Sequence, residues 1–397
     1  MKFLRIFYIL ILFLIFSKAY SDINSQESIN KIRNLNDQIY SFSVFGHIYG
    51  SPSASVFPSA SILSGTEKIK DYRPNFLVLL GDTIQHGNSA SNIFNIDNNR
   101  VQKFNDAQFE TFEELFLNKI NIPVLHVPGN HDYPDEEWYK FNFGYNSNIN
   151  FEIQSEAFIL FNSMNLCSKE IEPNLEEKFI LENLEIYKNN SSIKNIFLLM
   201  HQAIFTSEDS ELKDIRSWVN GGVSSCPSYN NKVLPLLNEV QEKKNIFLIA
   251  GDTGCKGYTA GASPTDTFPL FYHERQNIKY LVTGICENIN DNFVNIIINE
   301  GVVDFEPVSL VYDKISNIET FNLAFWKQHF SSWDQKQLKF EQDYKFEVFK
   351  KAKPLSKIEK IIKLITDIFK SKKFYAGIIF SFIIIFFLRR FYLIFSK

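Results

Sequence analysis

Between residues 41 and 250 short apolar runs alternate with longer polar or amphipathic stretches. The runs are Phe42 to Phe45, Phe76 to Leu80, Pro123 to Val127, Ile196 to Met200 and Ile246 to Ala250, each the length of a strand buried on both faces. Between them apolar positions recur at helical spacing, roughly Val101 to Ile120 (with Phe104, Phe112 and Leu115 on one stripe), Asn174 to Tyr187 and Lys232 to Glu242. Strand, helix, strand is the rhythm of an α/β sheet. From Tyr280 the pattern tightens into β-like runs, Tyr280 to Thr283, Phe293 to Ile298 and Val302 to Val311, which predicts antiparallel strands completing the sheet layers. No repeat or linker divides this body, so 22–350 reads as one large domain.

The two ends carry a different pattern. Lys2 and Arg5, an apolar run from Ile6 to Phe16, and small residues at Ala19 and Ser21 predict a signal peptide or N-terminal anchor over 1–21. Over 351–373, Leu355, Ile358, Ile361, Ile362, Ile365, Ile368 and Phe369 recur at helical spacing among lysines, as in a basic amphipathic helix lying on a membrane. The stretch from Phe374 to Leu388 is almost wholly apolar and is followed by Arg389 and Arg390, so 374–397 predicts a C-terminal transmembrane anchor. The expectation is an exported, membrane-anchored protein with its domain outside the cytoplasm, on the periplasmic side if bacterial.

Charge excludes one class of partner. With 41 basic and 45 acidic residues the net charge is -4, and no nucleic-acid-binding surface is predicted. Phe alone numbers 40, so a single aromatic carries little functional weight. Cys167, Cys226, Cys255 and Cys286 are too widely spaced for a zinc knuckle. One disulfide, two, or four unpaired thiols are all compatible with the sequence.

Each of the five apolar runs is followed at once by a small-residue turn bearing a polar group: His47, Asp82, Asn130-His131-Asp132, His201 and Asp252. Residues just past parallel strand ends converge on one rim. Carboxylate, amide oxygen and imidazole together suit Mn, Fe, Zn or Mg, and a divalent ion held there would polarise a phosphoryl oxygen. His86 follows Asp82 closely, but reads as a surface loop histidine, and His126, inside an apolar run, as a packed strand residue.

These segments resemble the calcineurin-like metallophosphoesterase superfamily, in its order and approximate spacing, over roughly residues 40 to 300. Gly81-Asp82 is similar to the motif whose Asp bridges two metals. Gly129-Asn130-His131-Asp132 is similar to the motif that supplies an Asn ligand and a phosphate-facing His, and His201 to a single His ligand. Two motifs depart: Asp-x-His stands here as Phe45-Gly46-His47, and Gly-His-x-His as Gly251-Asp252-Thr253-Gly254. The resemblance implies a layered sandwich of mixed β-sheets flanked by helices. It implies metal ligands at Asp82, Asn130, His201, Asp252 and His47, with His131 and His47 as catalytic groups, and one strongly bound divalent ion rather than two. The function it implies is metal-dependent hydrolysis of a small-molecule, lipid or cell-envelope phosphoester. The alternative is a degenerate fold serving as a binding or accessory protein at the membrane. A Gly-Asp-Ser type serine esterase is excluded, because Thr83 takes the serine position and no Asp-x-x-His follows near the end of the domain.

Overall fold

The computed structural model describes residues 26–49, 57–84, 98–132, 147–168, 174–207, 211–212, 225–253, 269–285, 290–311 and 315–328. The segments 1–21, 351–373 and 374–397 lie outside them, as do His86, Cys255 and Cys286. No described helix is long and apolar enough to cross a membrane.

In chain order the elements are α1 (Gln26–Arg33), β1 (Ile39–Phe45), α2 (Ala60–Tyr72), β2 (Phe76–Leu79), α3 (Asn98–Phe112), β3 (Val124–His126), β4 (Ile149–Ile153), β5 (Glu156–Leu160), α4 (Ser163–Cys167), α5 (Leu175–Asn189), β6 (Asn195–Met200), α6 (Leu234–Val240), β7 (Asn245–Ala250), β8 (Leu270–Arg275), β9 (Ile278–Thr283), β10 (Asn292–Asn299) and β11 (Val302–Ser309). The strands form two mixed sheets, ordered β11-β10-β1-β2-β3 and β4-β5-β6-β7-β9-β8. Within the first, β1, β2 and β3 run parallel while β10 and β11 are antiparallel. Within the second, β5, β6, β7 and β9 run parallel, with β4 and β8 as antiparallel edges.

The sheets face each other across an apolar layer built from Phe42, Val44, Phe76, Val78 and Leu125 on one side and Phe158, Phe197, Leu199, Phe247 and Ile249 on the other. Register produces a ladder there: Phe151, Phe158, Phe197 and Phe247 stand opposite one another on successive strands. Their rings stack at centroid distances of 4.8, 4.9 and 4.6 Å, and Lys279, next in register, lies 5.7 Å over Phe247. Each such pair adds about 1 kcal/mol to the burial of its rings.

Helices cover both outer faces. Ile62, Ile69, Phe109, Phe112 and Phe116 pack on one sheet, and Ile180, Leu184, Leu237 and Val240 on the other. Local chemistry sets their ends. The Ser59 hydroxyl accepts from the Ser61 N–H at the start of α2, and the Asn174 side chain accepts from the Glu177 N–H at the start of α5. Past α3 the helix runs through a π turn, Glu113–Leu117. The wider turn accommodates one more residue, so Phe116 is buried where the regular spacing predicted Leu115. The disulfide Cys167–Cys226, 59 residues apart in sequence, ties the end of α4 to the approach to α6.

Candidate metal centre

The expected residues divide between the sheets. His47, Asp82 and Asn130 leave β1, β2 and β3, while His201 and Asp252 leave β6 and β7. Backbone hydrogen bonds continue the sheets past their strand ends. The His47 N–H donates to the Gly81 carbonyl (2.8 Å), and the N–H groups of Ile48 and Tyr49 both donate to the Asp82 carbonyl (2.7 and 3.0 Å). Across the second sheet, the N–H groups of Gly251 and Asp252 donate to the His201 carbonyl at 2.9 and 3.0 Å. Asp82 and His47 themselves hold the left-handed conformation, with φ of 57 and 58, which costs an L-residue about 1–2 kcal/mol. Close approach requires glycine at position 129, where a Cβ would meet the Asp82 Oδ1 at 2.3 Å. Gly81 likewise stands at φ +83, with room for no Cβ beside the His201 Nδ1.

Asp132 locks two of these turns together. Its Oδ1 accepts from the Thr83 and Ile84 N–H groups (2.7 and 3.0 Å), and its Oδ2 from the Gly129 N–H (3.1 Å). His126 completes this buried network, 3.3 Å from the Asp132 Oδ2 and 2.9 Å from the Thr83 Oγ1.

Asp82 presents its two carboxylate oxygens to two different poles. On the first, the His201 Nδ1 lies 2.7 Å from the Leu80 carbonyl. A carbonyl only accepts, so Nδ1 carries a proton, and Nε2, the nitrogen with the lone pair whenever the ring is neutral, points the other way. That nitrogen faces three oxygens: Asn130 Oδ1 at 3.1 Å, Asp82 Oδ1 at 3.2 Å and Asp252 Oδ2 at 3.3 Å. Ligand bonds of about 2.1 Å give donor–donor edges of about 3.0 Å in an octahedron and 3.4 Å in a tetrahedron, so these spacings suit one ion. Among the described residues, Asp82, His201 and Asp252 are the carboxylate and imidazole groups close enough to share it. The Asp252 Oδ1 is buried with no hydrogen-bond partner, as befits a carboxylate awaiting a cation.

Electrostatics agree. Burial would raise the Asp82 carboxyl, but the imidazoles of His201, His131 and His47 outweigh it and hold it below the usual carboxylate range. Burial would lower His201, yet Asp82 and Asp252 push it well above its ordinary value. Both shifts express one demand for positive charge among buried carboxylates.

The second pole differs. His47 Nε2 and His131 Nε2 stand 3.9 and 4.0 Å from the Asp82 Oδ2, and the Tyr49 hydroxyl lies 3.1 and 3.5 Å from the two ring nitrogens. The Tyr49 ring packs 4.5 Å from that of His47 and 4.9 Å from that of His131. Phe45 contributes nothing here: it is fully buried among outer-layer residues, with its ring 6.1 Å from Phe116. The first-motif position that faces Asp82 is therefore His47, a correction to reading Phe45 as the vacated ligand site. Sequence reasoning missed Tyr49, one of 17 tyrosines in an aromatic-rich chain. It also missed the Ile285 carbonyl, which lies 3.1 Å from the His47 Nδ1. A backbone acceptor leaves no mark in side-chain patterns.

Residues 60–221 match the calcineurin-like phosphoesterase family, a span that includes Asp82, Asn130, His131 and His201 but not His47 or Asp252. No curated protein sequence matches the chain. Among solved structures, it is similar to a dimetal phosphatase from Danio rerio, at 13% identity over 71% of this chain and 100% of that one (TM-score 0.48). It is also similar to GAP50, the anchor in the inner membrane complex of Plasmodium, at 15% identity over 74% and 95% (TM-score 0.43). A third is the purple acid phosphatase PPD1 of yellow lupin, at 10% over 70% and 53% (TM-score 0.45).

Proposed function

We propose that this chain, whose residues 60–221 carry calcineurin-like phosphoesterase sequence, hydrolyses phosphoesters at a centre holding one divalent cation. The observation that carries this reading is the His201 Nε2 turned toward three oxygens at 3.1 to 3.3 Å, a cluster in which a cation would take the place of the proton. When bound, such a cation polarises a phosphoryl oxygen and acidifies a coordinated water. Mixed oxygen and imidazole donors suit Mn, Fe, Zn or Mg.

The chain's own groups do the rest. The Leu80 carbonyl fixes the His201 tautomer, Asp82 anchors both poles, and Asn130 and Asp252 complete the oxygen set. His131 is the imidazole with access to the rim, its side chain 18% exposed, placed to hydrogen-bond a phosphoryl oxygen as charge develops on it. The substrate class we favour is a small-molecule, lipid or cell-envelope phosphoester met outside the cytoplasm by a membrane-anchored domain. The Cys167–Cys226 disulfide supports that compartment, since such bonds persist where the surroundings oxidise.

A second reading, an accessory protein with little turnover, is favoured by Tyr49 at the second pole. Full-length protein assayed on an aryl phosphate separates the two. Hydrolysis that is lost on chelation, restored by Mn²⁺ or Zn²⁺ and absent in Asp82→Ala is the result expected of the enzyme. Absence of hydrolysis, with or without bound metal, favours the accessory role, and absence of metal contradicts the enzyme.

A further inference from the structure

We infer that the Tyr49 hydroxyl stands in for a second cation, consuming the two imidazole lone pairs that such an ion would need; this rests on the first ion binding at the His201 pole. Hydrogen-bond direction carries the inference. The His47 Nδ1 faces the Ile285 carbonyl at 3.1 Å, so that nitrogen holds the proton and Nε2 accepts. The only proton the Tyr49 hydroxyl can give goes to His47 Nε2, 3.1 Å away. The phenol oxygen then accepts from His131 Nε2 at 3.5 Å, which fixes that nitrogen as a donor.

The relay runs from His131 through Tyr49 and His47 to a backbone carbonyl, with neither Nε2 lone pair left toward Asp82. Spacing agrees. The donor edges of 3.9 and 4.0 Å at this pole exceed the roughly 3.4 Å edge of a tetrahedral shell, whereas those around His201 do not. The Tyr49 N–H donates to the Asp82 carbonyl at 3.0 Å, which ties Tyr49 to the Asp82 turn, and its ring packs against those of His47 and His131. A substrate anion reaching this side meets no second positive charge, and the one loosely held donor is the His131 Nε2–H, 3.5 Å from its acceptor.

Zn²⁺ titrated calorimetrically into chelator-stripped full-length protein, with elemental analysis of each product, tests this without any activity readout. Wild type should bind one ion, Tyr49→Ala two, and His47→Ala/Tyr49→Ala one again. On unmodified protein, nitrogen NMR of the imidazoles should show the first equivalent of Zn²⁺ shifting His201 and a second equivalent leaving the His47 tautomer unchanged, a readout that survives if the variants fail to fold. Two ions in wild type with His47 and His131 both shifted, or a folded Tyr49→Ala that still binds one, would overturn the assignment of Tyr49 while leaving the His201 site standing. No bound Zn²⁺ in wild type would overturn the one-ion centre itself, and this inference with it.

Discussion

At the scale of single residues, Asp132 illustrates how a motif can be legible while its work is not. The tetrapeptide Gly129 to Asp132 marks the site in the sequence, yet the Asp132 carboxylate faces three backbone N–H groups and no cation. Asp132→Ala would strand those buried donors, at about 1–3 kcal/mol for each left unsatisfied. Its melting temperature should drop well below that of wild type, and metal affinity should fall with it because Asp82 and Asn130 lose their common anchor. His131→Ala should behave oppositely, keeping bound metal and fold while lowering turnover by about 10²-fold; loss of metal in that variant would make His131 a ligand. The convergence of Asp82, Asn130, His201 and Asp252 was readable because each follows a strand-like run, and strand ends are where side chains meet. Tyr49 was not, because its role follows from backbone bonds to Asp82 that no spacing rule encodes. Phe45 was misread because it follows Val44 on β1 and so faces the opposite, outer layer.

At the scale of elements, the runs buried on both faces stood out as strands; the structure starts β1 at Ile39, lengthens the runs of β6 and β7 to Asn195 and Asn245, and keeps β2 and β3 inside their runs. The β4–β5 hairpin and β8 were not legible. β4 is an edge strand with alternating exposure, and the buried Glu156 opening β5 looks like a turn residue until the Tyr40 hydroxyl, Ser155 and the Asn195 amide are seen donating to it. β8 ends in Glu274 and Arg275, polar as sheet edges often are. The ladder of Phe rings is what this pattern builds. Phe197→Ala removes its central member, fully buried between Phe158 and Phe247, and should cost about 3–5 kcal/mol in chemical denaturation. A loss under 1 kcal/mol would mean that the sheets repack without it.

At the scale of the whole molecule, the site joins two sheets that the sequence rhythm had suggested as one largely parallel rim, and it couples stability to pH. In metal-free protein, the depressed Asp82 contributes stability that is whole above its ordinary value of 3.8 and is lost as pH falls through its lower folded value. The raised His201 contributes stability that is whole below its ordinary value of 6.5 and is lost as pH rises through its higher folded value. Chelated protein should therefore lose melting temperature on the alkaline side of 6.5, a slope that His201→Gln should abolish. The metal-loaded protein should run the other way, because protons compete with the ion for the same ligands. The disulfide belongs to this scale too. Closing a loop of 59 residues is worth about 4 kcal/mol in the chain-entropy treatment, so reduction should lower the melting temperature of the whole body.

The most direct measurement is anomalous diffraction from crystals of the protein grown with Zn²⁺, with data collected on both sides of the metal edge. The account predicts one strong peak per chain, within about 2.0–2.3 Å of ligand atoms from Asp82, Asn130, His201 and Asp252, with the Tyr49 hydroxyl still between His47 and His131. A pair of peaks bridged by Asp82, or no peak beside His201, would contradict it.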